Sequence, residues 1–327
     1  MVLTVPIGWI EPAVNVTPGA PVAWGDVDVS GSVPAGATGV ILHVRSTGTG
    51  SLSFGYRKNG GADARTDTIP AYRHGWCAVG VDASRIFEIY MSSTEIQIWL
   101  VGYLAADAVF LTNGVNKSLG LTGAWTDIDC SAQAPGAIGL VFETRETSGV
   151  LTAFGLRMNG SADARTNNTA YRNCVGVIIG CDAGQVVEGY IGGTSVDWFL
   201  LGYVTAEAIF NVNAVNVSLG SINSWIDRAA LPAGATGGFY EVANNAGAAA
   251  YGLRKNGSAE SILTNAVNHP WGMVACDASQ LVEGRIASTD IDFFVVGHSF
   301  VAAAGVAMRR TLSPIGTRTG SRQAQAS

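Results

Sequence analysis

Charge is scarce in this sequence. Of its 327 residues only 13% are Asp, Glu, Lys or Arg, while 48% are hydrophobic; an ordinary soluble domain carries roughly 25% charged residues. Surfaces so short of charge are expected to be partly covered by partners. The formal net charge of −6 leaves no excess of basic residues, which argues against a nucleic-acid partner, since that would need a clustered basic face. No apolar run reaches the roughly 18 residues of a membrane span, so no membrane partner is expected. The start, Met1-Val-Leu-Thr-Val-Pro6, lacks a basic stretch and a cleavage site, and no secretory signal is expected. Cysteine is sparse too, with Cys77, Cys130, Cys174, Cys181 and Cys276. No pair of them recurs with the internal repeat described below, so they read as reduced, buried small residues of a chain assembled in a reducing compartment.

The signatures of catalysis are also missing. There are four histidines and no His-x-x-x-His, Cys-x-x-Cys or nucleophile elbow. The glycines of Thr47-Gly-Thr-Gly50 precede a strand-like run rather than a helix, which does not support a phosphate cradle. Carboxylates alternate at Asp26 and Asp28 and at Asp127 and Asp129, but the third equivalent is Asp227 followed by Arg228. A shared acid/base pair or cation site therefore does not hold across the chain. The expectation is a protein that is not an enzyme, without cofactor or metal.

What is present in abundance is glycine, 42 residues, among short runs of Val, Ile, Thr, Tyr and Trp. That is the pattern of strands joined by tight turns. It is also repeated. Phe54-Gly-Tyr-Arg-Lys-Asn-Gly-Gly-Ala-Asp-Ala-Arg-Thr66 returns as Phe154-Gly-Leu-Arg-Met-Asn-Gly-Ser-Ala-Asp-Ala-Arg-Thr166, and Tyr251-Gly-Leu-Arg-Lys-Asn-Gly-Ser-Ala-Glu260 keeps its core. Asn15-Val-Thr, Asn116-Lys-Ser and Asn216-Val-Ser each lead, at one fixed spacing, to Trp24, Trp125 and Trp225. Downstream stand Asp82-Ala-Ser, Asp182-Ala-Gly and Asp277-Ala-Ser, and each segment closes on Gly102-Tyr103, Gly202-Tyr203 or Gly297-His298.

A unit of about a hundred residues exceeds a solenoid turn and suits an independent sandwich. The expected fold is all-β: three tandem antiparallel β-sandwich, jelly-roll-like domains over residues 1–106, 107–206 and 207–300, with a C-terminal basic arm over 301–327. In the first segment strands are expected over 22–29, 38–46, 51–57, 76–81, 86–91 and 95–104. The closing apolar runs at 98–100, 198–201 and 293–296 suit a central strand. Helix is confined to stretches near Ala105 and Ala206 and to 301–310. Asn59-Gly60, Asn159-Gly160 and Asn256-Gly257 read as type I′ turns.

Positions kept in all three segments serve what the segments share. The tryptophans read as core or inter-domain packing. The Asn-x-Ser/Thr triplets read as turns in which the Asn side chain binds backbone, and the Gly-Tyr/His pairs as bulges or close backbone approaches. The Asn-Gly loops are the best candidates for a shared exposed surface. Asn59, Asp63 and Arg65, Asn159, Asp163 and Arg165, and Asn256 are the candidate partner-binding residues, against the plainer reading of Asp63–Arg65 and Asp163–Arg165 as local ion pairs. The third segment has Glu260 and Ile262 there, which argues against any chemistry needing all three. The arm carries Arg309, Arg310, Arg318 and Arg322 and no acid. Held by neighbouring molecules, these would be anchors on an acidic partner surface.

The repeat, with its Arg-x-Asn-Gly-Ser/Gly-Ala-Asp motif, its Asp-Ala step and its Gly-Tyr ending, resembles structural proteins of tailed bacteriophages over about residues 1–300. The resemblance implies a virion component and no catalytic residue. The leading expectation is a capsid decoration or cement protein, located in the virion after assembly in the host cytoplasm. Its partners would be the major capsid protein or other virion proteins, and self-association is open. The alternative is a tail-fibre or spike protein binding host glycan, with Trp9, Trp76 and Trp271 stacking on sugars.

Overall fold

The computed structural model describes residues 7–168, 174–229, 231–245, 249–265 and 269–301. Arg309, Arg310, Arg318 and Arg322 lie outside the described residues, as does nearly all of the expected arm and its helix-compatible start. The described chain is all-β, six four-stranded antiparallel sheets with no helix among the described residues. The stretches at Ala105 and Ala206 are turns between strands.

The first segment supplies β1 (Ile7–Asn15), β2 (Val22–Asp28), β3 (Gly39–Ser46), β4 (Leu52–Lys58), β5 (Asp67–Ile69), β6 (His74–Gly80), β7 (Ile86–Met91) and β8 (Ile96–Leu104). They form two sheets, ordered β1-β8-β3-β6 and β2-β7-β4-β5. The second supplies β9 (Ala108–Asn116), β10 (Thr126–Asp129), β11 (Gly139–Glu146), β12 (Ala153–Met158), β13 (Asn167–Asn168), β14 (Cys174–Gly180), β15 (Val186–Ile191) and β16 (Val196–Val204). The third supplies β17 (Ala208–Asn216), β18 (Ile226–Ala229), β19 (Ala235–Asn244), β20 (Ala250–Lys255), β21 (Thr264–Asn265), β22 (Trp271–Ala275), β23 (Leu281–Ile286) and β24 (Ile291–Phe300). The same two orders recur in both.

The two sheets of a segment meet through alternating apolar side chains. Phe154 of β12 touches Trp198 of β16 with ring centroids 5.8 Å apart, and Tyr251 of β20 touches Phe293 of β24 at 6.2 Å. The closing strands β8, β16 and β24 each pair on both sides, as their apolar runs required. In each, the ladder to the neighbouring strand slips one residue just before Gly102, Gly202 or Gly297. A Cβ on Gly102, Gly202 or Gly297 would stand 2.9, 2.5 or 2.7 Å from the backbone oxygen of Gly8, Val109 or Ile209. Both the bulge and the close approach expected of these glycines are present.

The Asn-Gly turns differ from expectation. Only the glycines, Gly60, Gly160 and Gly257, have positive φ (76°, 80° and 77°), and the turns close with Gly61 N–H donating to Lys58 O at 3.0 Å and its equivalents. A type I′ turn needs positive φ at both central residues; positive φ at the second alone suits type II. The asparagine is left in ordinary backbone because its side chain is used elsewhere.

One apolar core runs through all three segments. At its centre β6, β14 and β22, one edge strand from each segment, touch one another pairwise. The segments are thus arranged around a common centre.

Candidate functional site at the segment seams

The repeated motif first builds a latch on the outside of each small sheet. Trp24, Trp125 and Trp225 are half-buried and lie over Gly55, Gly155 and Gly252, where a Cβ would stand 3.0, 2.8 and 2.8 Å from the indole. Arg57, Arg157 and Arg254 stack on these indoles at 4.3, 4.1 and 4.0 Å. Each guanidinium also binds a cross-strand glutamate, Glu88, Glu188 or Glu283, at 2.9, 2.9 and 2.7 Å. A planar cation held by a carboxylate and an aromatic face is the use for which Arg is better suited than Lys.

The remaining shared polar residues are also satisfied within the chain. The amides of Asn59, Asn159 and Asn256 donate to Asp82, Asp182 and Asp277 at 2.7, 2.6 and 2.8 Å. Asp277 is held below the usual carboxylate range, foremost by the backbone N–H of Leu281. Asn15, Asn116 and Asn216 accept from the backbone N–H of Thr17, Ser118 and Ser218 at 2.9, 2.8 and 2.9 Å, the expected side-chain turns. The hydroxyls of Thr17, Ser118 and Ser218 accept in turn from the backbone of Ile98, Trp198 and Phe293.

Asp63, Arg65, Asp163 and Arg165 do form the local ion pairs, at 2.9 and 3.0 Å, but they are turned inward onto the following segment. Arg65 binds Glu143 at 2.8 Å, and Arg165 binds Glu241 at 2.5 Å. The two glutamates are each 2% exposed at the side chain. Burial pushes the Glu143 carboxyl up, and Arg65 opposes that shift. Asp63 and Asp163 accept the backbone N–H of Gly114 and Ala214 at 2.6 and 2.7 Å. A second pair, Arg145 on Asp67 at 2.5 Å, reinforces the first seam.

The third segment closes back on the first in the same way. Glu260 accepts from Ala13 N–H at 3.1 Å, the position equivalent to Gly114 and Ala214. The change from Asp to Glu therefore keeps this hydrogen bond in all three segments. Phe110, Phe210 and Trp9, equivalent residues of β9, β17 and β1, lie where a Cβ on Gly39, Gly139 and Gly237 would run into their rings. Trp9 Nε1 also donates to Ser299 Oγ at 3.2 Å. Three equivalent seams, first to second, second to third and third to first, close a ring.

The salt-bridge position changes in kind at the third seam. Ile262 stands where Arg65 and Arg165 stand, and His43 where Glu143 and Glu241 stand. The two substitutions match, because without an incoming cation a buried carboxylate would be uncompensated. Sequence reading missed His43, Glu143 and Glu241 altogether. The signal was there, since two positions far apart in each segment change together.

The aromatic residues offered to sugars are not available. Trp76 and Trp271 lie in β6 and β22 and are buried, and Trp9 is packed into the third seam. Cys77, Cys130, Cys181 and Cys276 are free and buried, as expected, and burial pushes the Cys130 and Cys276 thiols up to about 11.

No family model and no curated protein matches the chain. Among solved structures it is similar to a protein in the atomic structure of the Sulfolobus turreted icosahedral virus, at 11% identity over 90% of each chain with a TM-score of 0.23. It is similar at the same identity and TM-score, over 90% of this chain and 91% of the other, to a protein from a study of the triple jelly roll fold and turret assembly in an archaeal virus. A tandem CBM22 fragment of Paenibacillus barcinonensis Xyn10C matches 62% of this chain at 9% identity and a TM-score of 0.16. TM-scores this low carry no argument about fold or function.

Proposed function

We propose that each segment is a jelly-roll sandwich and that the chain is a non-enzymatic virion protein of a bacteriophage, a decoration or cement protein that clamps neighbouring capsid subunits. The observation that carries this reading is the closed ring of three equivalent seams. Among the described residues the repeated polar side chains are spent on contacts inside each segment and on the seams that hold the segments to one another. A ring of three like modules presents three like outer faces and matches a threefold or pseudo-threefold position of a shell. Each weak contact then adds through effective concentration.

The arm arginines would supply further anchors. The last 26 residues hold Arg309, Arg310, Arg318 and Arg322 without an acid, so the acidic residues all lie in the body. The tail-spike reading, by contrast, loses the aromatic platform on which it stood.

The test is binding of purified chain to empty capsids of the phage that encodes it. Saturation at a defined ratio, with a raised capsid melting temperature, supports the reading. Absence of binding at high concentration ends it.

A further inference from the structure

The three seams share one frame and differ in what is buried inside it. In the second seam Arg165, Glu241 and His269 form a chain, with His269 Nε2 and Glu241 Oε1 2.6 Å apart. In the third seam the equivalent set is Ile262, His43 and His74. His43 Nε2 and His74 Nδ1 lie 2.8 Å apart, and both residues are buried. His43 stacks flat on Trp76, with centroids 4.0 Å apart and planes 5° apart. His74 packs on Tyr251, which the third segment sends across the seam, at 4.3 Å.

We propose that the seam between the third and first segments is an acid-operated latch, opening below pH 6.5 or so while the other two stay shut, with the His43–His74 pair as its trigger. A hydrogen bond between two ring nitrogens needs one of them unprotonated, and charging both rings destroys it. The charged group acting on both rings is Arg45, a cation on the same strand as His43. The phenol of Tyr251 packs on His74, and Arg73, the chain neighbour of His74, acts on that phenol. In the other seams a glutamate occupies the place of His43. Burial, the largest cause, holds both rings below the ordinary imidazole range, His74 at about 3.

The sign follows from linkage. The closed seam keeps both rings neutral, and the open seam lets them titrate near pH 6.5. Closure is therefore fully stable above that value and weakens as pH falls through it, by up to tenfold per unit for each ring. From pH 7.5 to 5.5 the open population should rise roughly a hundredfold. Glu11, whose carboxyl is raised by burial and by Glu260, works in the opposite sense as it protonates, so the comparison stops at pH 5.5. His298, beside Ser299 at the same seam, is also held below the ordinary imidazole range by burial and works in the same sense, and the variants below leave it unchanged.

Hydrogen exchange of the full chain tests this with three matched reporters. The amides of Ala13, Gly114 and Ala214 each donate to a carboxylate across one seam. Between pH 7.5 and 5.5 the protection factor of Ala13, corrected for intrinsic exchange, should fall by up to a hundredfold while those of Gly114 and Ala214 hold. The double variant His43→Glu with Ile262→Arg rebuilds the Arg–Glu–His set of the second seam and should abolish the difference. Should that variant not fold, His43→Leu leaves one titrating ring and should reduce the fall to roughly tenfold. Ala13 tracking its two equivalents in the wild type, or an undiminished fall in whichever of these variants folds, would overturn the latch.

Discussion

Gly155 shows that a glycine kept in the repeat can serve packing inside a strand rather than a turn. It sits inside β12, with no unusual backbone, because Trp125 lies on one side and Arg165 O on the other. An added Cβ would stand 2.8 and 2.5 Å from them. Gly155→Ala should therefore cost about 1–3 kcal/mol by overpacking, seen as a lower urea midpoint, with the Arg157 stack loosened. A wild-type midpoint would mean that the indole moves aside freely. Arg65 tests the seam at the same scale. Arg65→Ala takes from buried Glu143 the guanidinium bonded to it, leaving only the field of Arg145, and should cost about 3–5 kcal/mol at pH 7, whereas Arg65→Met with Glu143→Leu should be near neutral. The Glu143 carboxyl is already raised, so the folded state of Arg65→Ala binds a proton more tightly than the unfolded one. Its deficit should shrink as pH falls toward about 4.3. Equal deficits at pH 7 and pH 5 would rule out a buried charge as the cause.

At the level of strands, alternation and turn residues located six of the eight strands of the first segment, five of them, β2, β3, β4, β7 and β8, within a residue at each end. β1 escaped because Pro12 reads against a strand and the register slips between Trp9 and Val14. An edge strand tolerates both. β5 is too short, at 3 residues, to show any period. The turn type was misjudged because Asn-Gly was weighed as local backbone chemistry, while the Asn side chain is committed to Asp82, 23 positions on. The seams were illegible for a related reason: their partners lie 76 to 78 residues apart, beyond any local pattern. Only a comparison of positions 43, 143 and 241 against 65, 165 and 262 would have paired them. The first strand of each segment carries the largest apolar seam residue, and Phe110 is buried between Gly39 and Gly80. Phe110→Ala should cost about 3–5 kcal/mol by calorimetry, although Phe110 lies at a seam. A loss under 1 kcal/mol would mean the first seam adds little to stability.

The whole molecule is a heterologous ring closed by rotation, and such a ring has no intrinsic beginning. Three residues, 105–107, join β8 to β9, and 205–207 join β16 to β17. By equivalence the end of β24 and the start of β1 stand in the same relation, and the Trp9–Ser299 hydrogen bond of 3.2 Å holds them together without a covalent link. A permutant that joins Phe300 to Ile7 through three residues and opens the chain after Ala106, the exposed residue of the 105–107 linker, should therefore fold, because exposed positions accept new ends and the three seams are kept. Its far-UV circular dichroism should match the parent, and its melting temperature should fall by no more than a few degrees. Failure to fold would mean that the third seam is not equivalent to the others. The permutant also moves the uncovered junction. In the parent the break lies at the seam holding the histidine pair, where no Arg–Glu bridge crosses among the described residues. In the permutant it lies at the seam bridged by Arg65–Glu143 and Arg145–Asp67, while the histidine seam gains a covalent tether. Acid should then loosen the permutant less than the parent at pH 5.5, because an opened latch that remains tethered recloses at high effective concentration.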